Sequence, residues 1–257
     1  MEEAMRVGPP ALLRRMTIPI AVAVALVVVA AWYVTWTSAD SFMALMAPSR
    51  IASTDLVPFF ALLVVMMVAM MLPSAVPMIL AFRGMTRLEG GRPTKPADNL
   101  ATALFVLPYF LTWGAFGVAA LLALMALGLM GSISNVVVFA SAATLAAAGL
   151  WQVTRTKEVC LTHCTSPMGF VMRHWRSGRV GAWRMGLRHS MYCLGCCWLF
   201  MIVLFVAGSM SLVWMGGLSI VIFVEKVGVR PVLFSRAIGL GLVVLGALVG
   251  IRALGTL

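Results

Sequence analysis

Residues 57–82 read VPFFALLVVMMVAMMLPSAVPMILAF, without one charged side chain. An uncharged apolar run of this length can cross the roughly 30 Å hydrocarbon core of a bilayer as a helix. Six more apolar stretches surround it, at about 17–36, 100–127, 134–154, 187–209, 211–226 and 232–254. The expected fold is therefore all-α: a polytopic membrane helix bundle of about seven transmembrane helices. The stretch at 211–226 is short and tightly joined to the one before it. As a re-entrant or tilted element it would leave six spans.

Composition agrees. The 257 residues are 62% hydrophobic and only 11% charged, against about a quarter charged in soluble domains. Mean hydropathy is +1.04. No room is left for a soluble domain of ordinary size, so residues 1–257 are expected to form a single integral membrane domain. The net charge of +11 is the mark of positively charged loops, not of nucleic-acid binding. Arg14 and Arg15 precede the first apolar run in the manner of a signal peptide. That run is long, however, and no Ala-x-Ala cleavage signature follows, so an uncleaved first helix is expected.

The positive charges set the expected orientation. With the N-terminus in the cytoplasm, the cytoplasmic side holds Arg6, Arg14 and Arg15, then Arg83, Arg87, Arg92 and Lys95. It also holds Arg155, Lys157, Arg173, Arg176, Arg179, Arg184 and Arg188, then Lys226, Arg230 and Arg236. Only Arg50 and Arg252 fall outside, 2 of the 19 Lys and Arg residues. The positive-inside rule thus makes 155–188 a cytoplasmic loop. The stretch GGRPTKP at 90–96 reads as a loop from its Gly and Pro content.

Chemistry concentrates in two knots, Cys160-Leu161-Thr162-His163-Cys164 and His189-Ser190-Met191-Tyr192-Cys193-Leu194-Gly195-Cys196-Cys197. All five cysteines lie in them, with two of the three histidines. Thiolate and imidazole are ligands for soft and borderline metals, and on a reducing side disulfides are disfavoured. On a helix, His189, Cys193, Cys196 and Cys197 occupy i, i+4, i+7 and i+8, one stripe about 100° wide. One straight helix cannot surround an ion, so partners must come from elsewhere, and Cys160, His163 and Cys164 are candidates. The spacing fits neither a zinc ribbon nor haem attachment, and the adjacent Cys196-Cys197 pair suits an iron–sulfur cluster poorly. The competing reading is that some of these cysteines are small buried hydrophobes.

Met66, Met67, Met70, Met71 and Met78 mark the second apolar stretch as a candidate metal path, with Met66/Met70 and Met67/Met71 sharing faces at i, i+4. Thioethers favour Cu(I) over Zn(II). Core filling is the stronger reading for methionine alone, and only with the thiols does copper become the preferred metal. Pro73 and Pro77 release backbone carbonyls and bend the helix, as is tolerated where a cavity is lined. Met43 and Met46 would extend such a path outward.

Other residues are weighed the same way. Arg155, Lys157 and Arg188 flank the thiols and would favour thiolates, although the loop's positive surplus explains them. His174 is expected in an interfacial loop. Tyr109 and Trp113, at i, i+4, read as bulky core beside the metal path. Glu225 and Lys226 read as a local ion pair at a helix end. No carboxylate sits in the middle of a span, and no phosphate-binding loop occurs, which argues against proton-coupled transport and an ATP-driven pump.

The stretches MMVAMMLPSAVPM at 66–78, WQVTRTKEVCLTHCTSPMGF at 151–170 and GAWRMGLRHSMYCLGCCWLFM at 181–201 resemble a bacterial family of predicted metal-binding integral membrane proteins, domain of unknown function 2182. The resemblance runs from about residue 57 to 226. It implies a bacterial inner-membrane protein, and some relatives are described as copper chaperones. Three functions follow. The preferred one is Cu(I) handling, as chaperone or transporter, with the bilayer, the metal ion and a partner copper protein as its associates. The second is a structural Zn(II) clip. The third, an enzyme, is a thiol oxidoreductase using Cys193-x2-Cys196 or Cys196-Cys197, which the reducing side counts against.

Overall fold

The computed structural model describes residues 11–40, 56–89, 92–93, 96–127, 135–206 and 212–255. A helix occupies each of the seven apolar stretches: α1 (Ala11–Thr37), α2 (Leu56–Thr86), α3 (Asn99–Ala126), α4 (Asn135–Trp151), α7 (Gly178–Val206), α8 (Leu212–Val227) and α9 (Pro231–Gly255). Two short helices lie between α4 and α7: α5 (Arg155–Thr165) and α6 (Pro167–His174). Strand pairing among the described residues is confined to two residues a side, Leu88↔Pro93 and Glu89↔Arg92. Met43, Met46, Arg6, Arg50 and Lys95 lie outside the described residues, as does most of the 90–96 stretch.

Four helical stretches are long and apolar enough to cross a membrane: Phe60–Thr86, Asn99–Ala123, Gly178–Val206 and Pro231–Leu254. Val136–Trp151 and Arg155–Thr165 together would make a fifth, but they meet at 67°. Val22–Thr37 is a shorter apolar helix. The chain is thus a membrane-type helical bundle.

The stretch at 155–188, expected as a loop, is itself helical. Hydropathy marks where a helix leaves apolar surroundings, not where its hydrogen bonds stop. Here local signals continue the helices. Thr154 caps α5 by accepting from the Lys157 backbone N–H, and Pro167 stands in the first turn of α6, where its missing N–H costs nothing. α7 begins at Gly178, whose φ of +79° suits glycine, nine residues before the apolar run. Asp98 caps α3 through the Ala101 N–H at 2.8 Å.

α2 is central, packed by α1, α3, α6 and α8. α3 lies along α7, and α4 along α9. The α4–α9 crossing is close because Gly149 and Gly239 meet there: a Cβ on Gly149 would stand 2.5 Å from the Gly239 carbonyl oxygen. α5 sits in the angle of α7 and α8. That position carries the first cysteine knot onto the second.

Candidate metal centre

The predicted stripe on α7 is buried along its length: His189, Cys193, Cys196 and Cys197 are each 5% exposed or less. The sulfur atoms of Cys193, Cys196 and Cys197 all lie within 4.8 Å of one another. Two sulfurs bound to one ion at about 2.3 Å cannot stand further apart than about 4.6 Å. Side-chain movements of a few tenths of an ångström would therefore let this trio close on a soft cation. All five cysteines are free thiols. Cys196 and Cys197 both donate to the Cys193 carbonyl, at 3.1 and 2.9 Å, and Cys193 donates to the Tyr109 hydroxyl at 3.3 Å.

α5 adds a fourth thiol. Cys164 is buried in the same cluster as Cys193, Cys196 and Cys197; the neighbouring Cys193 and Cys196 thiols, with burial, hold its pKa well above the ordinary thiol range. Cys160 is half-buried, one turn earlier on α5. Its sulfur packs against α7 at Gly195, where a Cβ would come within 2.7 Å of it. Burial and the neighbouring Cys196 raise the Cys160 pKa, while Lys157 opposes them. The activating effect of flanking cations is thus outweighed at this thiol. His163 points elsewhere: its ring lies flat on Tyr192, 4.1 Å between centroids, and its Nδ1 faces the Val159 carbonyl at 2.8 Å.

His189 occupies a different kind of place. Its ring lies between Phe105 and Tyr109, nearly parallel to both, with centroids 6.0 and 5.9 Å away. Phe170 meets it edge-on at 5.7 Å. Neither ring nitrogen has a hydrogen-bond partner among the described residues. Such orphaned buried nitrogens are costly unless a ligand or water completes them. Here they lie one helical turn from Cys193.

The methionine face of α2 joins the same core. Met66, Met67, Met70 and Met71 are all at most 3% exposed and pack in one cluster with Cys164, Cys193, Cys196 and Cys197. Met78 is equally buried but packs with Phe105 and Phe170. The Met70 carbonyl accepts from Ser219, and the Met71 carbonyl from Ser74 and Tyr109. Tyr109 is therefore more than bulk, since it ties α2 to the Cys193 thiol. Trp113 is completely buried core.

The expected Glu225–Lys226 ion pair is not formed. Successive residues on a helix diverge by about 100° and do not face each other. Glu225 instead pairs with Lys157 at 2.8 Å, with side chains only 2% and 1% exposed. Its other oxygen accepts from Gln152 at 3.0 Å, and Gln152 in turn accepts from Ser235. Lys157 also donates to the Cys196 carbonyl. Lys226 turns the other way, donating to Cys193 Sγ at 3.0 Å and to Ser74 Oγ at 3.3 Å. Ser74, Gln152, Ser235 and the inward roles of both lysines were missed. The divergence of positions 225 and 226 was the available signal.

The donor set is soft, sulfur-rich and buried, and it suits a monovalent or borderline soft metal better than a hard one. A fold and a site of this kind fit a membrane protein that binds a metal. The chain belongs to the PpoB2 copper chaperone family, whose model matches residues 60–249. No curated protein and no solved structure matches it.

Proposed function

We propose that this protein binds Cu(I) in the membrane and passes it on, as a chaperone or delivery protein for a partner copper enzyme. Cys193, Cys196 and Cys197 form the centre of the site, Cys164 joins them, and Cys160 stands at its half-open side. Met66, Met67, Met70 and Met71 supply thioethers along which the ion moves between α2 and α7. The observation that carries this reading is the trio of buried sulfurs within 4.8 Å, in a chain of the copper chaperone family. Thiolate with thioether is a donor combination that favours Cu(I).

The reading extends to topology. The chain forms one integral domain in a bacterial inner membrane, crossing it seven or six times, with the N-terminus and residues 155–188 on the cytoplasmic side. Lys157 and Lys226 are buried in the interior, so they are not part of a solvated loop surplus. Setting both aside still leaves the Lys and Arg residues overwhelmingly on one side.

Metal content of anaerobically purified protein, with X-ray absorption at the metal edge, tests the proposal. Copper with sulfur neighbours at about 2.2–2.3 Å, lost in Cys196→Ser with Cys197→Ser, is the expected result. Unchanged copper in the double variant removes the proposal. A structural Zn(II) clip is the second reading, favoured by the fourth thiol of Cys164, since closed sites with four Cys or His ligands are typical of structural zinc. One stoichiometric zinc, released only with unfolding, would establish it instead.

A further inference from the structure

Two histidines, on α5 and α6, lie close together. His163 and His174 have ring centroids 6.2 Å apart, and both are half-buried. The Nδ1 of each faces the carbonyl four residues back on its own helix: Val159 at 2.8 Å for His163, Phe170 at 3.1 Å for His174. A carbonyl only accepts, so Nδ1 donates in both rings, and in the neutral imidazole Nε2 is then the nitrogen with the lone pair. This backbone-anchored tautomer is the usual condition of a metal-binding imidazole. Neither Nε2 has a hydrogen-bond partner among the described residues. Each ring is also held from the side, His163 by Tyr192 at 4.1 Å and His174 by Phe170 at 4.7 Å.

With metal–nitrogen bonds of about 2.0–2.1 Å, two imidazoles opposed across one ion have centroids about 6 Å apart, and a tetrahedral ion draws them to about 5 Å. The observed spacing leaves room for one ion between the two rings. The pair also has a connection inward. Phe170 touches His174 and the orphaned His189, and Cys160, one turn before His163, leans on α7 beside the buried thiols.

We propose that His163 and His174 form a second metal site, a peripheral two-imidazole site for Cu(I) from which the ion passes to the thiol centre by ligand exchange. Capture by two imidazole nitrogens involves no change of oxidation state. As to the identity of the metal, this rests on the function proposed above.

The test uses full-length protein carrying Cys193→Ser, Cys196→Ser and Cys197→Ser, kept anaerobic, with Cu(I) as the probe. The expected result is copper with nitrogen neighbours, lost when His163→Ala and His174→Ala are added. Absence of nitrogen-bound copper, or its survival after the histidine substitutions, overturns the site. Should the triple variant not fold, wild-type protein answers the question through carbethoxylation of histidine. Cu(I) added beyond what the thiols take up protects His163 and His174 together, and unprotected rings overturn the proposal. Sulfur-bound copper in His163→Ala/His174→Ala protein is read separately. Its retention there leaves the thiol function standing even if the histidine pair fails, whereas absence of sulfur-bound copper in the wild type counts against the thiol function, not against the histidine pair.

Discussion

The ammonium of Lys226 donates to the sulfur of Cys193 at 3.0 Å, inside the bundle and with no carboxylate partner among the described residues. Glu225, its neighbour in sequence, is already engaged by Lys157 and Gln152. A buried charge is tolerated only when paired, and the group beside Lys226 that can take negative charge is a thiol. Cu(I) on two thiolates is a −1 centre, and an ammonium in contact with one ligand brings it to neutrality. Placed so, Lys226 would balance the charge of a site loaded as proposed.

Replacing Lys226 with Met keeps most of the volume and removes the charge. Cu(I) affinity, measured by competition with a chelating dye, is expected to fall about 10–100-fold, the range for lost outer-shell partners of a metal ligand. Lys226→Arg retains the charge and should lose less. Equal affinity in the Met variant and the wild type would mean that the ammonium serves packing alone.

The pair Lys157–Glu225 gives a prediction about stability. Its atoms are 2.8 Å apart and nearly inaccessible, and it joins α5 to α8. Lys157→Met leaves Glu225 charged, buried and short of a partner, at a cost of about 3–5 kcal/mol. Lys157→Met with Glu225→Leu removes both charges and should recover much of that loss. Thermal unfolding in detergent reads the two variants. A double variant no more stable than the single one would show that hydrogen bonds to Gln152 and the Cys196 carbonyl dominate.

How much of this was legible beforehand differs by kind of interaction. The seven apolar helices could be read because hydrophobic length is local and additive. The stripe of His189, Cys193, Cys196 and Cys197 followed from helical periodicity on one element. What could not be read depends on pairs far apart in sequence. Lys157 looked like one more loop cation, because its partner lies on another helix. Ser74 carried no signal beside the methionines, yet it accepts from Lys226. His163 sits within the first cysteine knot in sequence, but the rotation of α5 sends its ring to Tyr192 and leaves Cys164 facing the thiols.

Two glycines on α7 should respond unequally to alanine. At Gly186 the new Cβ would stand on a main-chain atom of α3, the Phe105 carbonyl oxygen. At Gly195 it would meet a side-chain atom, the Cys160 sulfur. A side chain can rotate away and a backbone cannot. Gly186→Ala should therefore cost about 1–3 kcal/mol as overpacking, and Gly195→Ala less. Gly195→Ala should instead expose Cys160, read as faster alkylation of that thiol in otherwise native protein. Identical alkylation rates would place Cys160 away from the α7 surface.

Cys164 decides how many helices hold the metal. It is buried on α5 in one cluster with Cys193 and Cys196, whereas the three clustered sulfurs share α7. If α5 contributes a ligand, Cys164→Ser lowers the sulfur count at the metal edge by one and weakens binding. A zinc clip needs all four positions closed, so the same substitution would release zinc almost completely. Cu(I), content with two or three sulfurs, should stay bound with reduced affinity. The size of the loss therefore separates the two metals, and an unchanged sulfur count with either metal would assign the site to α7 and its methionine neighbours on α2.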